Sequence, residues 1–321
     1  MAGFAFEEKK EDTILLLMQS GVPQAQAQTL ADSLVTADAY GVTSHGCRVL
    51  DAHVQKVLRG GYNLAPHFTV VRETAAFAVI DGDNAIGPVS AMHCLDYAID
   101  KCQQSGVFTV FSRNNNTFGP AFYYSLKAAE QGYIAFICSN SPAQMAPIGG
   151  KEKLLGTNPF AAVVPVPNGD PIMVDMATSV VAKSKFKEYK ERGERLPEGW
   201  ALDRDGRPTT DPDEGMSGLV LPMAGFKGYG IAMLIDILAG VVSGAAYLNK
   251  VGRFYSEDGA GMNVGFYLTV IDPYAVLGEE YDAIIRDYVA TVRGSAPADG
   301  QTVCLPGDDR MKHKKENGTT V

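Results

Sequence analysis

The chain has 321 residues, 46% hydrophobic and 20% charged, enough to bury one large core or two lobes. A formal net charge of −9 and a pI near 5.1 leave no surplus of Lys and Arg to neutralise phosphates, which argues against a nucleic-acid partner. The cysteines at 47, 94, 102, 138 and 304 are odd in number and scattered, with no C-x-x-C pair, so neither a disulfide framework nor a metal site is expected.

The opening MAGFAFEEKKED lacks the apolar core of a signal peptide, and reduced thiols suit a cytoplasmic protein. Two helices are predicted over 7–19 and 24–40, separated by Gly21-Val22-Pro23. A third is expected from Thr43-Ser44 to about residue 58, where Arg59-Gly60-Gly61 stops it. Short runs of strand type follow at 68–71, 76–80, 107–112, 134–138, 160–166 and 172–174. Helical patterns at 88–104, 121–131, 177–192, 229–242 and 274–292 alternate with them. The apolar stretch 231–248 contains Asp236 and several glycines, so it reads as a buried helix and not as a membrane span. A polar segment, 191–218, holds three prolines and the sole tryptophan, Trp200, and reads as an ordered excursion or lid, with a linker as the alternative. The basic run 310–315 reads as a solvated last helix or tail. These elements make an α/β protein with a mixed sheet and a helical N-terminal region.

Five constellations carry possible chemistry. In Thr43-Ser44-His45-Gly46-Cys47-Arg48, a hydroxyl cap would place His45 in the first turn of a helix, where the positive end of the dipole disfavours imidazolium. Arg48, three residues on, offers a planar fork for a carboxylate. Taken alone, the pair reads as surface or capping chemistry. Asn114-Asn115-Asn116-Thr117, after a strand, could be a plain turn or could present Asn116 and Thr117 to a reacting group. The loops around Ser141 and Gly156-Thr157-Asn158 gather amides and hydroxyls suited to ribose or pyrophosphate. Asp175-Met176-Ala177 leads out of a strand, and Asp175 could be structural or accept from a ribose hydroxyl. Lys227-Gly228 opens a helix, a place suited to phosphate or simply to surface lysine. There is no G-x-G-x-x-G element near the N-terminus, so a Rossmann fold is not indicated.

Taken in order, these blocks resemble the malate/L-lactate dehydrogenase family that is unrelated to the Rossmann enzymes. The resemblance rests on TSHGCR at 43–48, NSPAQMAPIGG at 140–150, GTNPFA at 156–161, DMATSVVA at 175–182, PEGWALDRDGRPTTDP at 197–212, FKGYGIAMLIDILAGVVSGA at 226–245 and LPGDDR at 305–310. It implies a single non-Rossmann mixed-sheet unit over 1–321. Within it, 1–65 is the helical N-terminal region, 66–305 is the cofactor- and substrate-binding core with the excursion 191–218, and 306–321 is a C-terminal segment. It further implies NAD or NADP as cofactor, held by Ser141, Asp175, Met176, Ala177, Lys227 and the Pro306-Gly307-Asp308 segment. His45, beside Ser44, matches the proton donor and Arg48 the carboxylate ligand of a small 2-oxo acid or 2-hydroxy acid of the malate, lactate, sulfolactate or ureidoglycolate type. A homodimer with sites near the interface is implied as well. Three positions depart from the family pattern, with Thr117, Phe226 and Phe266 standing where relatives carry histidine. That leaves His45 as the available imidazole and keeps two other readings open, a reductase of cyclic imine or ketimine carboxylates and a non-catalytic nucleotide or acid binder.

Overall fold

A computed structural model describes residues 6–256 and 259–317. Helix α1 (Phe6–Gln19) turns at Gly21 into α2 (Gln24–Ala39), whose Ala27, Leu30, Ala31 and Leu34 recur at helical spacing and bury one stripe against Leu17. The single helix expected from Thr43 is not formed. Two 3₁₀ turns, Thr43–His45 and Cys47–Val49, precede α3 (Leu50–Leu58), and neither Thr43 nor Ser44 caps it. Gly46 makes the break. Its backbone is extended, the Cys47 N–H donates to Asp38 at 3.1 Å, and a Cβ on residue 46 would lie 1.7 Å from the Asp38 carboxylate.

Strands β1 (Thr69–Glu73) and β2 (Phe77–Asp81) form a hairpin, and α4 (Gly87–Ser105) carries the chain over to β3 (Val107–Asn115). That helical crossover makes β2 and β3 parallel. Helix α5 (Ala121–Ala129) leads to β4 (Ile134–Ser139), a small pair β5 (Ala143–Met145) and β6 (Leu155–Gly156), then β7 (Phe160–Val164) and β8 (Ile172–Met176). Next come α6 (Ser184–Glu191), β9 (Ala201–Leu202), β10 (Pro208–Thr209), α7 (Pro212–Ser217), β11 (Leu219–Val220) and α8 (Phe226–Ile235). After a π-helical stretch, Asp236–Val242, the chain finishes with β12 (Val264–Ile271), α9 (Pro273–Leu277), α10 (Glu280–Arg293) and α11 (Asp308–Glu316).

The main sheet has seven strands in the order β1-β2-β3-β12-β4-β7-β8, mixed as expected. Its central strand, β12, is not among the runs that composition predicts. It is antiparallel to both β3 and β4, with Phe266 opposite Ser112 on one side and Ser139 on the other. A Cβ on Gly265 would fall 1.5 Å from the Ala239 carbonyl oxygen, so the π-helical stretch rests directly on this strand.

Residues 191–220 include α7 and the three-stranded sheet β10-β9-β11, and pack Leu196, Ala201 and Val220 against Phe186, Met145 and Ala232. The helix expected over 177–192 is confined to α6, because residues 178–180 pair with the segment before α8 through Val180 N–H to Leu221 O and a Ser179–Pro222 bridge. Gly278, at φ +69°, splits the helix expected over 274–292. Among the described residues, no helix is long and apolar enough to cross a membrane.

Candidate active site

Antiparallel pairing through β12, β4, β7 and β8 brings five strand ends to one edge of the sheet. These are the C-termini of β3, β4 and β8 and the N-termini of β7 and β12. The loops leaving that edge carry Thr117, Ser139 to Pro142, Thr157, Asp175 to Ala177, Met262 and Val264, which line a cavity of about 640 Å³. Ligands of open α/β sheets collect at such an edge. His45 closes the cavity from the 3₁₀ turn opposite.

The Ser44 hydroxyl lies 2.9 Å from His45 Nδ1, which fixes the ring and leaves Nε2 for the cavity. The imidazole is exposed and lines the cavity. Desolvation by the surrounding protein, with the charge of Arg310 acting on the ring, lowers its pKa from the ordinary 6.5. The sequence reading had a helix dipole doing this. The cause is desolvation, since the turn holding His45 is too short for a macrodipole.

Two cations in the wall were not foreseen. Arg310, read as part of a solvated tail, reaches back from α11. Its Nη2 donates to Asp175 at 2.7 Å, and its guanidinium stands over the Phe122 ring at 5.1 Å. Burial pushes the Asp175 carboxyl above its ordinary value, and Arg310 holds part of that rise back. Lys183, at the start of α6, donates to the Gly218 carbonyl at 3.0 Å; burial and the neighbouring Lys153 lower its pKa to about 8. The signals were present in LPGDDR and in the lysine that follows DMATSVVA, but only the fold brings them to the cavity.

Arg48 is placed differently from expectation. It is exposed, outside the cavity lining, and faces Glu188 of α6 at 3.7 Å. Asn116 is also no cavity residue. Buried, its amide donates to Asn84 and to the Ala85 carbonyl and accepts from Met262 N–H, which uses its hydrogen-bonding capacity in the scaffold. Thr117 does line the cavity.

Of the expected cofactor positions, Ser141, Thr157, Asp175, Met176 and Ala177 line the cavity. Asn158 and Gly156 sit behind them. Asn158 Oδ1 accepts from Ser141 N–H at 3.0 Å, its amide donates to Ala232 O, and a Cβ on Gly156 would lie 2.2 Å from the Ser141 carbonyl. Pro306, Gly307 and Asp308 line an adjoining groove of about 300 Å³ that shares Asp175, Met176 and Arg310 with the cavity. Lys227 and Gly228 open α8, away from this lining. Phe226 is exposed on α8, whereas Phe266 is buried beneath Phe118 with ring centroids 4.5 Å apart.

The cavity and groove together suit an elongated dinucleotide. They offer hydroxyls at Ser141 and Thr157, apolar platforms at Pro142, Pro159 and Met176, and a carboxylate at Asp175. At their junction Arg310 Nη1 is buried without a hydrogen-bond partner among the described residues.

A family model described as malate/L-lactate dehydrogenase matches residues 4–320. The malate dehydrogenase of Pyrococcus horikoshii is 39% identical over 88% of this chain and 80% of its own length. The L-sulfolactate dehydrogenase of Methanocaldococcus jannaschii is 37% identical over 98% of this chain and 92% of its own, and the solved sulfolactate dehydrogenase from that organism superposes with a TM-score of 0.92, covering 99% and 93%. The solved delta1-piperideine-2-carboxylate reductase from Pseudomonas syringae gives a TM-score of 0.89 at 27% identity, covering 98% and 94%. Matched over residues 4–320 by that model, and over 88–98% of its length by dehydrogenases 37–39% identical to it, the chain belongs to the malate/L-lactate dehydrogenase family and is an enzyme.

Proposed function

We propose that the enzyme reversibly reduces a small 2-oxo acid to its 2-hydroxy acid. The observation that carries this reading is one imidazole, held by Ser44 and depressed in pKa, facing a cavity whose wall also holds Lys183 and Arg310. A nicotinamide cofactor, NAD or NADP, held by Ser141, Thr157, Asp175 to Ala177 and the Pro306 to Asp308 groove, supplies the hydride when bound. His45 gives the proton to the carbonyl oxygen as C2 gains its hydrogen, so the C=O double bond becomes C–H and O–H. Lys183 meets the substrate carboxylate in the role first read for Arg48, and Thr117 orients the reacting group. The reading is tested by loss of the near-ultraviolet absorbance of NADH and NADPH over a panel of 2-oxo acids and cyclic imines. Failure with every acid would end it. Turnover of imines alone would favour the reductase reading, which Thr117 supports: with no second imidazole on that strand end, an imine that arrives protonated asks less of the site.

The pH dependence follows from the two perturbed groups. Oxidation of the hydroxy acid needs neutral His45, whose pKa lies below 6.5, and charged Lys183, which loses its proton near 8. The expected kcat/KM profile is therefore flat between those limits. It falls on the acid side as His45 protonates and on the alkaline side as Lys183 discharges. Lys183→Arg should carry the alkaline limb upward; an unmoved limb would remove Lys183 from the carboxylate.

We also propose a cytoplasmic homodimer. Phe226, Ile231, Met233, Leu234, Ile237 and Val241 are exposed along α8 and the π-helical stretch, an apolar face of the kind that a second copy covers. Light scattering should give twice 34.3 kDa, and Leu234→Glu should give the single-chain mass. A monomeric wild type at micromolar concentration would refute this.

A further inference from the structure

Behind His45 the cavity opens into a separate recess of about 130 Å³. Its walls are Leu34, Val49, Pro88 and Phe254, with Ser33 and His53 at the back. The mouth is shared with the main cavity at His45, Thr117 and Tyr255. Resting on the 2-oxo acid reading above, we propose that this recess receives the C3 substituent of the substrate and selects one that is apolar and uncharged.

The geometry leads there directly. If His45 reaches the oxygen on C2, the group bonded to C2 on the side away from the carboxylate emerges beside His45 and Thr117, where the recess begins. Among the described residues, no lysine, arginine or carboxylate lines it. Two of the polar atoms at its back are already engaged. Ser33 Oγ donates to the Leu30 carbonyl at 2.8 Å, and His53 Nδ1 is bonded to the Tyr62 hydroxyl at 2.9 Å, with its ring edge-on to Phe254 at 4.9 Å. Burial, aided by Lys56, lowers the His53 pKa to about 3, so the ring is neutral at working pH. Lys56 itself lies outside the lining, bonded to the Ala260 carbonyl and over the Tyr62 ring. A second carboxylate or a sulfonate would be stripped of water here with no cation to meet it. An alkyl group gains instead. The volume approaches the roughly 150 Å³ of a protein cavity known to take benzene, and each buried methylene is worth about fourfold in kcat/KM. This would separate the chain from relatives named for malate and sulfolactate, acids that carry a second anion at C3.

The test is a series of initial rates with the full-length enzyme on pyruvate, 2-oxobutanoate, 2-oxopentanoate, 4-methyl-2-oxopentanoate, oxaloacetate and sulfopyruvate. We expect kcat/KM to climb about fourfold per methylene, with the uncharged five-carbon acid at least ~10-fold ahead of oxaloacetate. Val49→Phe, which fills the recess, should lower the ratio of 2-oxopentanoate to pyruvate activity by about 10-fold or more. Oxaloacetate or sulfopyruvate equal to or ahead of the uncharged acids would overturn the proposal, as would a Val49→Phe enzyme that loses activity on all acids in the same proportion. The panel separates two failures: rates on charged acids alone sink only this inference, whereas no rate on any acid or imine sinks the broader reading and this one with it.

Discussion

Replacing His45 by alanine is expected to lower turnover by about 10²–10⁴-fold, the span that a positioned general acid or base contributes. The effect should be this large because no other imidazole lines the main cavity among the described residues. His53 is buried behind it and bonded to Tyr62, so it cannot take over. Cofactor affinity, measured by fluorescence titration of the reduced nicotinamide, should change little, since Ser141, Thr157 and Asp175 to Ala177 are the residues proposed to hold it. The same variant should lose the acid limb of the oxidation profile. Near-normal rates would remove His45 as the proton donor. A collapse in affinity equal to the loss of rate would make it a binding residue instead.

Arg310→Met is expected to destabilise the fold by about 3–5 kcal/mol, the cost of removing one partner from a buried ion pair. Arg310 and Asp175 are 22% and 12% exposed at 2.7 Å, so the carboxylate left behind loses its cation and keeps only the solvent that the cavity admits. Burial already raises the Asp175 pKa, and without Arg310 it rises further. The sign follows: an acid whose folded pKa exceeds its unfolded one favours the folded state below the unfolded value near 3.8 and loses that contribution as pH rises through the folded value. The variant's deficit should thus be smallest in acid and grow toward neutrality. Urea unfolding at two pH values measures it, and adding Asp175→Asn should recover part of the loss. A deficit under about 1 kcal/mol at neutral pH would show the pair to be ordinary surface electrostatics.

What the sequence made legible was local. Helical spacing in α2, strand composition in β2, β3, β4 and β7, and the fixed order of short blocks were enough for an α/β fold and for His45, Thr117, Ser141, Thr157 and Asp175 at one cavity. What it hid depended on distance along the chain. Asn116 looks like a loop donor until Met262, 146 residues later, is seen to claim its carbonyl. Arg310 looks like tail charge until β8 places a buried carboxylate before it, 135 residues earlier. The helix expected through His45 failed for a similar reason. Asp38, on another helix, packs on Gly46 and forces the chain to break there. Arg48 then follows its own turn towards Glu188 and away from the cavity.

The seat of Ala239 on Gly265 has a consequence for how the two ends of the molecule communicate. The π-helical stretch continues the apolar outer face of α8, and the strand it presses upon begins with Val264, a cavity residue. With no atom to spare at that junction, a displacement of Ala239 must carry Gly265 with it, and so move the strand end that lines the cavity.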